Sequence, residues 1–196
     1  MGKSKKVGQP PIAYVKYETK GNLDNLEGRS SEELINEAID LYQRGVSGDG
    51  KSAQKAVDLL AHLRSQRPGD NVLDAYYGAS NLLMGKYEKN PINKGKWINR
   101  GLDIVDKAHD RDPFNTKIRI LRGYGCYHLP VYFNRIGTTI EDFEYLLSRN
   151  KKEPGVISEK LVRNITSDLE TAYKTKQKMI PQIQNIAKNF TNGGRT

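Results

Sequence analysis

Helical periodicity dominates the chain from about residue 30 onward. Apolar residues recur three or four positions apart, which places them on one face of an α-helix. Ser30 stands three residues before Glu33 in a capping-box pattern, and Gly45 and Pro68 end the first two apolar runs. The pattern predicts helices at about 30–45, 53–68 and 71–85, a fourth ending near 113, then 114–129, 138–149 and 156–179, with 181–190 continuing or following the last. A polar loop is expected over 86–95, and residues 12–17 alternate enough to suggest a short strand. The predicted fold class is therefore all-α.

The helices fall into pairs, and the second helices share one spacing of small, aliphatic or aromatic residues. The three sets are Ala56, Leu60, Leu63 and Pro68; Gly101, Val105, Ala108 and Pro113; and Thr139, Phe143, Leu146 and Pro154. The first two sets agree at every interval, whereas the proline of the third comes three residues late. A repeated helix pair is the simplest explanation of this agreement.

Two of the first helices carry a glycine near the middle, Gly78 and Gly123. Glycine inside a helix costs about 1 kcal/mol relative to alanine. Two such glycines at matching places predict that another helix packs closely against each of them.

This arrangement resembles the tetratricopeptide repeat family, which pairs antiparallel helices with a small residue in the first, a small–aromatic–small pattern in the second and a terminal proline. The resemblance implies a right-handed α-solenoid of about three pairs, at 30–68, 70–113 and 114–154, closed by a capping helix at 156–190. A basic, flexible arm over 1–29 and a flexible tail over 191–196 would flank it. One departure is the 45-residue distance from Gly78 to Gly123, against roughly 34 residues in the family.

The same resemblance implies a groove lined by the first helix of each pair. The expected groove residues are Tyr42, Ala79, Leu82, Lys117, Tyr124, Tyr127 and His128. A possible rim follows Pro130, where the connection is unusually apolar, and comprises Tyr132, Phe133, Asn134 and Arg135. The alternatives are that several groove residues are simply core, and that the rim residues tuck under their own loop.

Charge adds two further hypotheses. The net charge is +9, of which residues 1–30 carry +3, residues 31–150 carry +1 and residues 151–196 carry +5. The basic ends allow weak contact with nucleic acid or another anionic surface. The long last helix, which Pro181 should kink or break, allows assembly into a homo-oligomer.

No pattern in the chain points to catalysis. Phosphate-binding, dinucleotide-binding, zinc-protease and nucleophile-elbow motifs do not occur, so no catalytic, cofactor-binding or metal residue is expected. The three histidines, at 62, 109 and 128, are expected at the surface or in the groove. The acidic residues of the 101–113 helix are expected on a solvated face, and Cys126 is expected to be a buried, inert thiol.

The cysteine count and the N-terminal residues bear on the compartment. One cysteine excludes an intrachain disulfide, and no apolar core typical of a signal peptide follows the first lysines. The sequence therefore predicts a cytoplasmic scaffold or adaptor that binds a protein or peptide and is not an enzyme.

Overall fold

The structure is a computed structural model that describes residue 26 and residues 28–192, with side chains up to residue 181. Within these residues the chain forms α1 (Ser31–Val46), α2 (Gly50–Gln66), α3 (Asn71–Tyr87), α4 (Pro91–Arg111), α5 (Thr116–Tyr127), a 3₁₀ turn (Val131–Phe133), α6 (Ile136–Lys152) and α7 (Glu159–Asn192). The described part of the chain contains no strand, which confirms the all-α class. The strand suggested for 12–17 lies outside the described residues.

Side-chain caps explain where most of the helices begin. The predicted capping box of α1 is present, since Ser30 and Glu33 each bond the backbone N–H of the other. At the starts of α2, α3, α4 and α5 an Asp or Asn side chain accepts two backbone N–H groups. These cap residues are Asp49, Asp70, Asn90 and Asn115.

The start of α4 corrects the loop predicted for 86–95. α3 runs to Tyr87 and α4 begins at Pro91, so only three residues connect the two helices. Asn90 caps the helix and Pro91 occupies its first turn, where a missing N–H costs nothing. The polar composition of this segment therefore marks a helix start rather than a long insert.

The last helix is not broken at Pro181, since α7 continues through this residue to Asn192. The predicted tail over 191–196 therefore begins two residues too early. The predicted arm over 1–29 is also too long at its inner end. Leu26 packs against the first core cluster, and Arg29 forms an ion pair with Glu37.

Each helix contacts the next one along the chain, and α1, α3 and α5 also contact one another in succession. The residues that carry the repeated spacing lie inside this arrangement. All nine non-proline members of the three sets are buried. The prediction that these positions pack against neighbouring helices is confirmed.

The mid-helix glycines permit the close approach that their positions predict. A Cβ placed on Gly78 would lie 2.6 Å from Val105 Cγ1 and 3.0 Å from the Gly101 carbonyl oxygen. A Cβ placed on Gly123 would lie 2.9 Å from the ring of Phe143. The three distances are too short for an unstrained Cβ, so α3 meets α4 at nearly backbone separation, whereas Gly123 on α5 leaves room for the ring of Phe143 on α6.

Candidate partner-binding cleft

The structure separates the predicted groove residues into three places. Ala79 and Leu82 are core residues, 2% and 6% exposed, which corrects their assignment to an open groove. Both face the packed side of α3, where α4 and α5 cover them. Lys117 is exposed on the first turn of α5, near the opposite end of that helix from Tyr127.

Tyr42 lies at the junction of α1 and α3, apart from the remaining groove residues. Its ring meets Tyr76 edge-on, with centroids 5.8 Å apart. Burial raises the pKa of its phenol. This tyrosine therefore belongs to helix packing, as the core alternative proposed.

The other three groove residues meet at the C-terminal end of α5. Tyr124 and Tyr127 pack against Phe143 of α6, with ring centroids 4.9 and 6.1 Å away. His128 follows at the end of the helix and stacks on Tyr124 at 6.4 Å. The result is an aromatic cluster whose inner side is anchored in the core and whose outer side is half-exposed.

A cleft opens directly beside this cluster, between α5, the connection to α6 and the middle of α7. We call it the α5–α7 cleft. Its volume is about 400 Å³, and its lining residues are Cys126, Tyr127, His128, Leu129, Pro130, Val131, Arg135, Ile136, Thr171 and Thr175. The volume falls in the range of ordinary ligand sites, roughly 300–1,000 Å³. Cys126 is buried as predicted, and burial raises the pKa of its thiol.

In the connection after Pro130, some residues form an exposed rim and another is tucked under the loop, so each of the two alternatives holds for part of the segment. Val131 and Tyr132 are 51% and 74% exposed and form an apolar rim. Phe133 instead packs inward, against the cluster of Leu82, Ile98 and Val105. Asn134 adopts a left-handed backbone with φ of 53°, which asparagine tolerates better than most residues, and so turns the chain into α6.

Arg135 fixes the base of the cleft rather than reaching out from the rim. Its guanidinium lies 2.5 Å from an Asp106 carboxylate oxygen of α4. The same carboxylate lies 3.9 Å from Arg122 of α5. The connection is therefore tied to two helices, which holds Val131 and Tyr132 in a defined place.

A buried ionic cluster continues behind this ion pair. Asp142 of α6 is fully buried and accepts hydrogen bonds from Arg119 at 2.9 Å and from two nitrogens of Arg122 at 2.8 Å. Burial raises the pKa of Asp142, and the two guanidinium groups oppose that change. The cluster joins α5 to α6 beneath the cleft.

His109 and Asp106 correct the expectation that the charges of the 101–113 helix are solvated. His109 is buried, and neither ring nitrogen has a hydrogen-bond partner among the described residues. Asp106 is half-buried in its pairs with arginines. By contrast Asp103 and Asp110 are exposed, as predicted.

His109, Glu141 and Asp142 bring three metal-ligating side chains together, with one ligand atom of each within 4.8 Å of the others. However, both oxygens of Asp142 already accept guanidinium hydrogens. A cation placed here would also lie beside two positive charges. The geometry therefore favours a structural role for this group.

Burial of His109, whose ring nitrogens form no hydrogen bond with the described residues, predicts a loss of stability in mild acid. Burial, then the charges of Arg122 and Arg119, lower its pKa in the folded protein. Below about pH 6.5, the ordinary pKa of histidine, the unfolded chain binds a proton that the folded chain rejects. The free energy of unfolding should therefore be fully retained above that pH and fall progressively as the pH decreases below it.

Urea titrations across this pH range check the prediction, with His109→Leu as the test variant. Leucine removes the titrating group and leaves no unpaired nitrogen, so the slope against pH should flatten. His62→Leu, on α2, is the matched control and should keep the slope. An unchanged slope in His109→Leu would contradict the assignment.

Sequence reasoning missed the wall that α7 contributes. Thr171 and Thr175 line the cleft. Asp168 lies one turn before Thr171 and is close enough to Tyr124 and Tyr127 to raise the pKa of both phenols, after burial as the larger cause. Nothing in the local sequence distinguishes these polar residues from others on the helix, because their role depends on where α7 lies relative to α5.

A second depression, of about 270 Å³, lies on the outer surface of α6. Four of its five lining residues belong to that helix and the fifth, Glu153, directly follows it and contacts Arg149. It is a gap between side chains of one helix, whereas the α5–α7 cleft joins several elements. The larger cleft is therefore the candidate site.

No protein-family model, curated protein or solved structure matches this chain. Among the described residues, every helix is too short or too polar to cross a membrane. The resemblance to tetratricopeptide repeats and the cytoplasmic location both stay predictions.

Proposed function

We propose that the protein is a helical-repeat scaffold that binds a peptide segment of a partner protein in the α5–α7 cleft. The observation that carries the proposal is exposed apolar surface at the cleft: Val131 lines it and is 51% exposed, and Tyr132, the next residue, is 74% exposed rather than folded under the connection. Exposed apolar residues next to a concave site are typical of binding surfaces. The aromatic cluster of Tyr124, Tyr127 and His128 forms the adjoining wall.

The anchoring of the cleft favours binding without large rearrangement. Tyr127 packs on Phe143, and Arg135 holds the connection to Asp106. A site whose side chains are already ordered loses less conformational entropy when a partner binds. Tyrosine is also enriched among the residues that dominate binding energy at interfaces.

The proposal keeps the tetratricopeptide-like arrangement but moves the site. The stacking of consecutive helix pairs and the burial of the repeated positions support a solenoid of about three pairs. The site lies between α5, which is the first helix of the third pair, and α7, which follows the three pairs. Binding through the basic ends and assembly into a homo-oligomer stay predictions.

Replacing Tyr132 with alanine should weaken peptide binding about 10-fold or more, because an exposed aromatic beside a cleft is a typical anchor. Peptides selected by the full chain from a displayed library of random 12-residue sequences supply the ligand. Fluorescence anisotropy then gives the dissociation constant.

Phe114→Ala is the matched control, since Phe114 is an equally exposed aromatic at 67% but lies before α5, away from the cleft. It should leave the affinity unchanged. Failure of any peptide to be enriched, or equal effects of the two variants, would reject the proposed function.

A further inference from the structure

The geometry points to a basic partner: we infer that the α5–α7 cleft takes a lysine or arginine side chain flanked by apolar residues. This inference rests on the proposed function and deepens it. Three features carry it: an acidic group without a cation, two tyrosines beside that group, and the apolar rim. The acidic group and the tyrosines would bind the positively charged side chain, and the rim would contact its apolar neighbours.

Asp168 is the acidic group. It is half-buried on the face of α7 that turns toward the cleft, one turn before Thr171. No described basic side chain lies within ion-pair distance of it, whereas most other half-buried or buried carboxylates around α4–α6 have an arginine partner. The phenols of Tyr124 and Tyr127 lie close enough for Asp168 to raise the pKa of both, after burial as the larger cause, and neither phenol supplies a positive charge.

The aromatic rings complete a site for a cation. Tyr127 lies in the cleft wall with His128, their ring centroids 5.1 Å apart. A cation that reaches Asp168 past these residues would pass the face or edge of a tyrosine ring, and tyrosine faces attract cations. The Thr171 and Thr175 hydroxyls can accept hydrogen bonds from an ammonium or guanidinium group.

The apolar rim is the reason why we expect apolar residues on either side of the bound lysine or arginine. Val131 lines the cleft and exposes hydrocarbon, and the exposed Tyr132 follows it directly in the chain, so residues next to the bound base would bury this apolar surface. Lysine and arginine also carry long apolar stems, which suit a passage lined by Leu129 and Ile136.

Charges near the cleft do not favour an anionic ligand. Burial lowers the pKa of the His128 imidazole. The negative charge of Asp168 raises that pKa, whereas the positive charge of Lys86 on α3 lowers it. Arg135 is neutralised by Asp106 at the base. An anion would therefore meet a neutral histidine and an unpaired carboxylate, and the carboxylate would repel it.

The test uses the full chain and the same displayed library of random 12-residue peptides. The expected result is enrichment of sequences with a lysine or arginine between aliphatic or aromatic residues. Asp168→Asn keeps the size of the side chain but removes the charge, and should weaken the best such peptide about 5- to 10-fold. Changing the peptide's base to glutamine should cost the same factor, and the two changes together should cost little more than either alone.

Glu170→Gln is the matched control, because it removes one charge from α7 two residues away, on roughly the opposite face. It should not change the affinity. Enrichment of peptides that lack a base, or additive effects of Asp168→Asn and the glutamine peptide, would overturn the inference and leave the proposed function standing. Enrichment of no peptide would overturn both.

Discussion

Replacing Asp142 with alanine should lower the free energy of unfolding by about 3–5 kcal/mol. The carboxylate is fully buried and neutralises two guanidinium groups that are themselves almost completely buried. Without it, Arg119 and Arg122 would keep their charges in a place where water cannot replace the lost hydrogen bonds. Glu141 also contacts Arg122 but is exposed and cannot fill the vacated space.

Urea unfolding followed by circular dichroism measures this change. A typical domain has a free energy of unfolding of about 5–15 kcal/mol, so the variant should remain partly or wholly folded. Asp103→Ala is the matched control, because Asp103 is exposed and its only ion pair among the described residues is with Lys107 on its own helix. It should have little effect. Equal losses in the two variants would contradict the buried ionic cluster.

Replacing Gly101 with alanine should destabilise the protein by about 1–3 kcal/mol, although alanine is the better helix former. A Cβ at this position would lie 2.7 Å from both the carbonyl oxygen of Gly78 and the backbone nitrogen of Leu82. These are backbone atoms of α3, so the contact cannot be relieved by rotating a side chain. The two helices would have to move apart, and the packing of Val105 would loosen.

Gly95→Ala tests the same substitution in the same helix without the contact. A Cβ on Gly95 meets nothing within 4 Å, so the gain in helix propensity, up to about 1 kcal/mol, should appear alone. The two changes in melting temperature should therefore have opposite signs. Stabilisation by both variants would show that α3 and α4 do not approach as closely as described.

The core of the fold follows from local pattern. The spacing of Ala56, Leu60 and Leu63, repeated in α4 and α6, predicted which residues would be buried, because helical periodicity and burial are directly linked. The glycines at 78 and 123 predicted close helix packing for the same reason. Boundaries were less accurate where caps decide them, as at Asn90.

The candidate site was predictable only in part. Tyr124, Tyr127 and His128 were found because they share one end of one helix. Ala79 and Leu82 were placed in the groove because the face of α3 that α4 and α5 cover cannot be read from α3 alone. Asp168 was missed because it joins the site across more than 40 residues of sequence, through the position of α7.

Hydrogen exchange of the full chain, with and without a saturating concentration of the selected peptide, tests the central claim most directly. Slower exchange should appear in residues 126–136 and around 168–175, where the cleft walls lie, while α1 and α2 exchange as before. Protection confined to α1–α3, or spread evenly over the chain, would contradict binding in the α5–α7 cleft.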